Sequence, residues 1–254
     1  MIKIEHLNFK YSKNGPLILN DISLNLKEGS IGIFLGKNGS GKTTLFNNIL
    51  GLQKPQSGNI FIEGKDVTKF NLKEKSKIIS YVPQELEFGN LTVKDTILTG
   101  RISSFNLFPS KVDKDIVNKT IGEMKLESIQ NKLMSELSGG EKQKVAIARA
   151  LVKNPKIIIF DEPTANLDIE NELLILKEAK ELSKKRKITI LIAIHDLNTA
   201  LNFGDEFFFF KEGKIVAQGN SDIITTKLIK EIFNVDVTIK TINKKKIILN
   251  SDEK

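Results

Sequence analysis

The eight residues Gly36-Lys37-Asn38-Gly39-Ser40-Gly41-Lys42-Thr43 constrain this chain more than any other stretch, because they follow the apolar run Ile31–Leu35 and precede a helical pattern from Lys42 to Leu50. A buried strand that ends in glycines and resumes as a helix is the unit from which parallel sheets are wound. Glycines let successive backbone N–H groups turn inward together, and the helix that follows contributes the positive end of its dipole. Such a loop suits phosphate: Lys42 reaches the outer phosphates and the Thr43 hydroxyl is placed for a magnesium ion. Residues Gly36 to Thr44 are therefore the candidate nucleotide site, with ATP and Mg²⁺ as the expected ligands.

The rest of the chain reads around that loop. Residues 2–9 and 17–26 mix apolar and polar positions in short alternating runs, which predicts antiparallel strands with one face buried. A region rich in helix formers, about 91–150, predicts a helical subdomain inserted in the core. Alternating units follow: helix 141–152, buried strand 157–160, helix 171–184, buried strand 188–194, then the apolar strand Phe207–Phe210 turning through Lys211-Glu212-Gly213-Lys214 into Ile215-Val216-Ala217. Only a short tail is expected beyond, with Lys244, Lys245 and Lys246 as a strand flank. The fold class is α/β: a phosphate-loop NTPase core of mainly parallel sheet, an antiparallel N-terminal β subdomain and an inserted helical subdomain. No internal repeat divides the chain, so 1–254 reads as a single domain.

Strand 157–160 delivers Asp161 and Glu162 at its C-terminal end, the edge of a parallel sheet where ligands sit. Two adjacent carboxylates there divide the labour: Asp161 holds the magnesium shell and Glu162, one residue further, polarises the attacking water. Composition excludes other classes. The chain has no cysteine, so disulfide staples and thiolate metal sites are absent. No run of about 18 apolar residues offers a membrane span, and the N-terminal residues carry no secretory pattern. The formal charge of +8 is spread as lysines along the whole chain rather than gathered into one patch, which predicts solvated surface and no nucleic-acid partner.

Leu137-Ser138-Gly139-Gly140-Glu141, followed by a helix carrying Arg149, resembles the signature motif of the ABC ATPases, with Glu141 in place of the commoner Gln. The Ser138 hydroxyl and the N–H groups of Gly139 and Gly140, at a helix start, form a second anion site. The resemblance spans almost the whole chain and implies further roles. Tyr11 takes the position that stacks on adenine. Gln84, in Tyr81-Val82-Pro83-Gln84, contacts magnesium and water and reports to a permease. Asp161-Glu162-Pro163-Thr164-Ala165-Asn166-Leu167-Asp168 resembles the family's Walker B and D-loop run, and His195 matches the switch histidine that contacts the γ-phosphate. Lys37 stands where Pro is common and is expected to face solvent.

What the resemblance implies for function is a transport motor. Two copies sandwich two ATP molecules, the phosphate loop of one facing Ser138-Gly139-Gly140 of the other. The homodimer would sit peripherally on the cytoplasmic face of the membrane, against permease subunits and, through them, a substrate-binding protein. Leu91-Thr92-Val93 through Thr99-Gly100-Arg101, His195-Asp196-Leu197-Asn198-Thr199-Ala200 and Gly213 to Gly219 are similar to the importer group for iron–siderophore, haem or cobalamin. Ile102-Ser103-Ser104 departs from that group's usual Pro-His, which leaves a molybdate or tungstate importer as an alternative. A soluble iron–sulfur assembly ATPase is the other, disfavoured by Pro163-Thr164.

Overall fold

The computed structural model describes residues 1–84, 88–104, 108–163, 168–242 and 245–250; Thr164 to Leu167 of the carboxylate run and Lys244 of the basic flank lie outside the described residues. From the N terminus come β1 (Ile2–Phe9), β2 (Leu19–Leu26), β3 (Ile31–Leu35), α1 (Lys42–Leu50), β4 (Ser57–Ile62), β5 (Lys65–Asp66), α2 (Leu72–Ser76) and β6 (Ile79–Val82). Three helices follow, α3 (Val93–Thr99), α4 (Lys111–Glu123) and α5 (Gly139–Leu151). The chain then runs through β7 (Ile157–Asp161), α6 (Ile169–Arg186), β8 (Thr189–Ala193), α7 (Leu197–Phe203), β9 (Glu206–Lys211), β10 (Lys214–Gly219), α8 (Thr226–Phe233), β11 (Val237–Ile242) and β12 (Lys245–Asn250).

Patterning sorts these strands into sheets. The alternating β1 and β2 form an antiparallel sheet of order β2-β1-β4-β5. The continuously apolar β3, β7 and β8 are buried at every position and lie inside a sheet of order β10-β9-β3-β8-β7-β6, parallel except for the β10 edge. A strand covered on both faces needs no polar alternation, which is why these runs look unbroken in sequence.

The two faces of that sheet serve two cores. Ile31, Ile33, Ile158, Phe160, Ile190, Ile192, Phe207 and Phe209 point to one core, which they share with α5, α6 and α7. Phe34, Ile157, Ile159, Leu191, Phe208 and Phe210 point to the other, between the parallel sheet, α1 and the antiparallel sheet. There Phe34 stacks on Phe208 at 4.9 Å and meets Phe46 of α1 edge-on at 5.2 Å. Each fully buried Phe or Ile contributes roughly 1.5–3 kcal/mol, so β3 and the helix after it are held from both sides.

Two expectations need correction. Helix starts move outward, α5 to Gly139 and α6 to Ile169, because Ser138 and Asp168 cap them through side chains, while α5 ends at Leu151 and α6 at Arg186. The short tail is instead a folded unit: β12 of the hairpin β11–β12 docks beside α7 and α8 packs against β9 and β11, with Ile229, Ile232, Val237 and Ile248 in the core.

Gly100 and Arg101 also carry a structural load. A Cβ on Gly100 would lie 2.2 Å from the Arg149 carbonyl oxygen, so glycine is required for α3 to end against α5. Arg101 pairs with the buried Asp113 at the start of α4 and donates to the Val152 carbonyl. With Thr92 capping α3 and Val93 and Ile97 fully buried, the segment from Thr92 to Arg101 is largely spent on packing the three helices together.

Candidate functional site

Parallel pairing brings the C-terminal ends of β3, β8, β7 and β6 to one edge. Each strand hands over a polar residue there: Gly36 and the glycine loop after β3, His195 after β8, Asp161 and Glu162 at β7, and Gln84 after β6. A cleft of ≈ 350 Å³ opens at this edge, lined by Asn38, Gly39, Ser40, Gly41, Lys42, Thr43, Thr44, Gln84 and Glu162.

The loop is shaped for an anion. No side chain caps α1, so the N–H groups of its first turn face the cleft without an intrachain cap. The Ser40 hydroxyl is buried without a hydrogen-bond partner among the described residues. Lys42 is buried and folds back to donate to the Gly36 carbonyl at 2.8 Å and the Lys37 carbonyl at 3.2 Å. Burial pulls the Lys42 ammonium below its ordinary pKa, while Glu162 and Asp161 oppose that shift. Tyr11 stands over the same loop, 62% exposed, its hydroxyl 3.0 Å from Thr44 Oγ1 and its ring edge-on to Phe9. Backbone bonds rivet the loop to both sheets: the Gly213 N–H donates to the Ser40 carbonyl at 3.1 Å, and the Gly213 carbonyl accepts from Asn20 at 2.8 Å.

The carboxylates occupy distinct settings. Asp161 is buried, and burial raises its pKa against the opposing effect of the Thr43 hydroxyl. Tyr81 donates its hydroxyl to Asp161 Oδ2 at 3.4 Å, and burial together with that carboxylate pushes the phenol up to about 12. Glu162 sits at φ 51, a left-handed conformation rare outside glycine, with its N–H on the Ala193 carbonyl. Its Oε1 lies 2.5 Å from His195 Nε2. No sequence motif assigns Tyr81 a task; the parallel pairing of β6 with β7 is what brings its ring to Asp161.

Thr43 and Gln84 line the cleft and Asp161 directly precedes its Glu162, so the oxygen donors available there are of the hard kind magnesium takes. Among the described residues no group of three or more His, Cys, Asp or Glu side chains forms a metal cage.

Not every candidate reaches this cleft. Tyr11, Gly36, Lys37, Asp161 and His195 border it, bonded or adjacent to its lining residues, whereas no hydrogen bond joins Ser138, Gly139, Gly140, Glu141 or Asp168 to that lining among the described residues. Ser138 instead caps α5: its N–H and hydroxyl both donate to Glu141 Oε2, at 2.8 and 2.9 Å, and these bonds hold the Glu141 carboxyl below its ordinary pKa. Asp168 caps α6 by accepting from the Asn171 N–H at 2.8 Å. Gly140 is where α5 and α6 touch, since a Cβ there would fall 2.1 Å from Asn171 Oδ1.

Fold and cleft together define a phosphate-loop nucleotide-binding protein. A family model described as ABC transporter matches residues 19–165, and the chain belongs to that family. It is 38% identical over 242 residues to an uncharacterized ABC transporter ATP-binding protein of Methanocaldococcus jannaschii, covering 95% of this chain and 94% of the relative. It is 33% identical to the petrobactin import ATP-binding protein of Bacillus subtilis, over 97% of this chain and 98% of that one. An energy-coupling factor transporter ATP-binding protein of Mycoplasma mobile is 34% identical over 93% of this chain and 86% of the relative. Among solved structures, a metal-chelate type ABC transporter in an inward-facing conformation shares the fold, with TM-score 0.84 at 24% identity over 98% of this chain and 95% of that one. A dimeric ATP-binding cassette bound to ADP and Pi is 28% identical, with TM-score 0.71, covering 87% of this chain and 98% of that one. The chain is thus an ATP-binding, ATP-hydrolysing subunit of an ABC transporter.

Proposed function

We propose that two copies of this chain close on two ATP molecules and that hydrolysis drives a separate permease which imports a metal chelate. The observation that carries the dimeric reading is the division of anion-binding groups between two places in one chain. The cleft holds the phosphate loop and Glu162, whereas Ser138, Gly139 and Gly140 lie outside it. A second copy presenting its Ser138 end completes the site, and a dimeric cassette among the solved structures supports a two-copy assembly. Residues 1–254 then act as one domain, with the helices at about 91–150 as its insertion.

In the reaction, Tyr11 covers the base while the N–H groups of the loop and Lys42 take the phosphates. Lys42 must leave the Gly36 and Lys37 carbonyls to do so, and phosphate charge then favours its ammonium form. Glu162 accepts the proton of the attacking water, and His195 orients the Glu162 carboxylate and meets the γ-phosphate. Magnesium, held by Thr43 and Asp161 with Gln84 at its water shell, would neutralise charge on the phosphate oxygens. Tyr81 keeps Asp161 oriented through its hydroxyl. The partner copy's helix start stabilises the charge that spreads over the transferred group.

The metal-chelate assignment is supported by the petrobactin importer relative and by the likeness of the segments around Thr92–Arg101 and His195–Ala200 to that importer group. The complex would include a substrate-binding protein and sit at the cytoplasmic face. The deciding measurement is uptake in a deletion strain, with labelled ferric chelate, cobalamin and molybdate each made limiting. Lost chelate uptake supports the assignment; unchanged chelate uptake with lost molybdate uptake overturns it and leaves the ATPase standing.

A further inference from the structure

We infer that the C-terminal hairpin β11–β12 is a brace for the switch histidine, and that Asn198 is the positioning residue that joins the two. The inference rests on the role proposed above for His195.

The joint is a two-point one. The Asn198 amide donates from Nδ2 to the Ile248 carbonyl at 3.0 Å and accepts at Oδ1 from the Ile248 N–H at 2.8 Å. A planar amide that satisfies both backbone groups of one residue fixes orientation as well as distance, which a single bond does not. Ile248 is itself buried in the core shared with Ala200 and Phe203 of α7. The hairpin is also fastened away from α7: Lys246 Nζ donates to the carbonyls of Ser221, Asp222 and Ile224. A hairpin paired only with itself has little stability of its own, so its position follows from these anchors.

What the brace holds is short and begins beside the chemistry. Helix α7 spans seven residues, too few to hold itself in place without tertiary contacts. Its N-cap is Asp196, which accepts from the Thr199 N–H at 2.6 Å, and His195 directly precedes that cap. The imidazole is 44% exposed, and among the described residues its side-chain hydrogen bond is the one to Glu162. The direction of the His195 ring therefore depends on where the first turn of α7 sits, and Asn198 lies in that turn. A shift of α7 carries the ring away from the Glu162 carboxylate.

The chain has two histidines, His6 and His195, so ring NMR on histidine-labelled full-length protein gives one reporter at the site and one control on β1. Asn198→Ala is expected to move the His195 ring resonances while those of His6 stay, and to lower kcat for ATP by about 10-fold with KM within about twofold, as loss of alignment rather than of binding predicts. Asn198→Asp, which keeps the acceptor for the Ile248 N–H, is expected to fall between. Lys246→Ala loosens the hairpin without touching α7 and is expected to shift the same His195 resonances, which keeps the test open should Asn198→Ala fold poorly. Unmoved His195 resonances in the folded variants would overturn the brace. Full activity in His195→Ala would instead remove the role of the histidine, a separate failure.

Discussion

His195 Nε2 and Glu162 Oε1 are 2.5 Å apart, although 33 residues separate them in the chain. The contact follows from strand order, since β7 and β8 run side by side with Asp161 opposite Ala193. It places an imidazole on the carboxylate proposed above to accept the proton of water. Glu162→Gln keeps the shape and loses the base. ATP binding is expected to persist while turnover falls by about 10²–10⁴-fold, and the variant accumulates as an ATP-bound dimer on gel filtration. Hydrolysis within a factor of two of wild type would remove Glu162 from the mechanism.

A site shared between copies makes a mixing experiment decisive. Lys42→Ala damages the phosphate loop and Ser138→Arg blocks the opposing helix start, so each homodimer is expected to be inactive. In the heterodimer one site pairs two damaged halves and the other pairs two intact ones. Mixing is expected to restore up to about half the wild-type rate per heterodimer if the two sites fire independently, and less if they cooperate. Normal hydrolysis by the Ser138→Arg protein alone would show that the sites are not shared.

Glu141 puts a carboxylate on the Ser138 hydroxyl, which the proposed sandwich turns towards phosphate. Glutamine at this position preserves the reciprocal cap and removes the negative charge. Glu141→Gln is therefore expected to form the ATP-dependent dimer at lower ATP concentration. The same change bears on acid stability. The folded-state carboxyl is held below its unfolded value, so its contribution is present above that value and is lost as pH falls through the folded pKa. Wild type should lose stability relative to Glu141→Gln on that acid side, as denaturant titrations will show. An identical pH profile for the two proteins would contradict the assignment.

Tyr81 gives the opposite dependence. Burial and the Asp161 carboxylate raise its phenol to about 12 from an ordinary 10.0, so the folded state favours the neutral ring. That stability is complete below the unfolded value and is lost as pH rises from about 10 towards about 12. Tyr81→Phe has no proton to lose. The stability difference between wild type and Tyr81→Phe should therefore narrow across that alkaline window, measured by chemical denaturation, and a constant difference would place the phenol away from the carboxylate.

The phosphate loop, the buried strands and the carboxylate pair were legible because each is a local pattern: glycine spacing, an unbroken apolar run, two acids at its end. Helix starts were read two residues late at Gly139 and Ile169, since the Ser138 and Asp168 caps act before any periodicity begins. The C-terminal unit escaped because its strands are six residues each and mostly exposed, and because its attachment runs through the Asn198 amide and the Lys246 ammonium, contacts with no period. The Gly100-Arg101 pair reads as surface likeness; in the fold the missing side chain of Gly100 lets α3 meet α5, and the Arg101 guanidinium ties α4 to the end of α5.

The Gly213 rivet has a consequence for how the nucleotide is measured. Tyr11 belongs to the segment between β1 and β2, while Ser40 and Lys42 belong to the loop after β3, so the two ends of the cleft hang from different sheets. Because Gly213 bonds to Ser40 on one side and Asn20 on the other through backbone alone, the span between them is a fixed gauge rather than an adjustable grip. Under the nucleotide placement proposed above, a triphosphate extends further towards Glu162 and His195 than a diphosphate does, while the backbone span beneath it keeps one length.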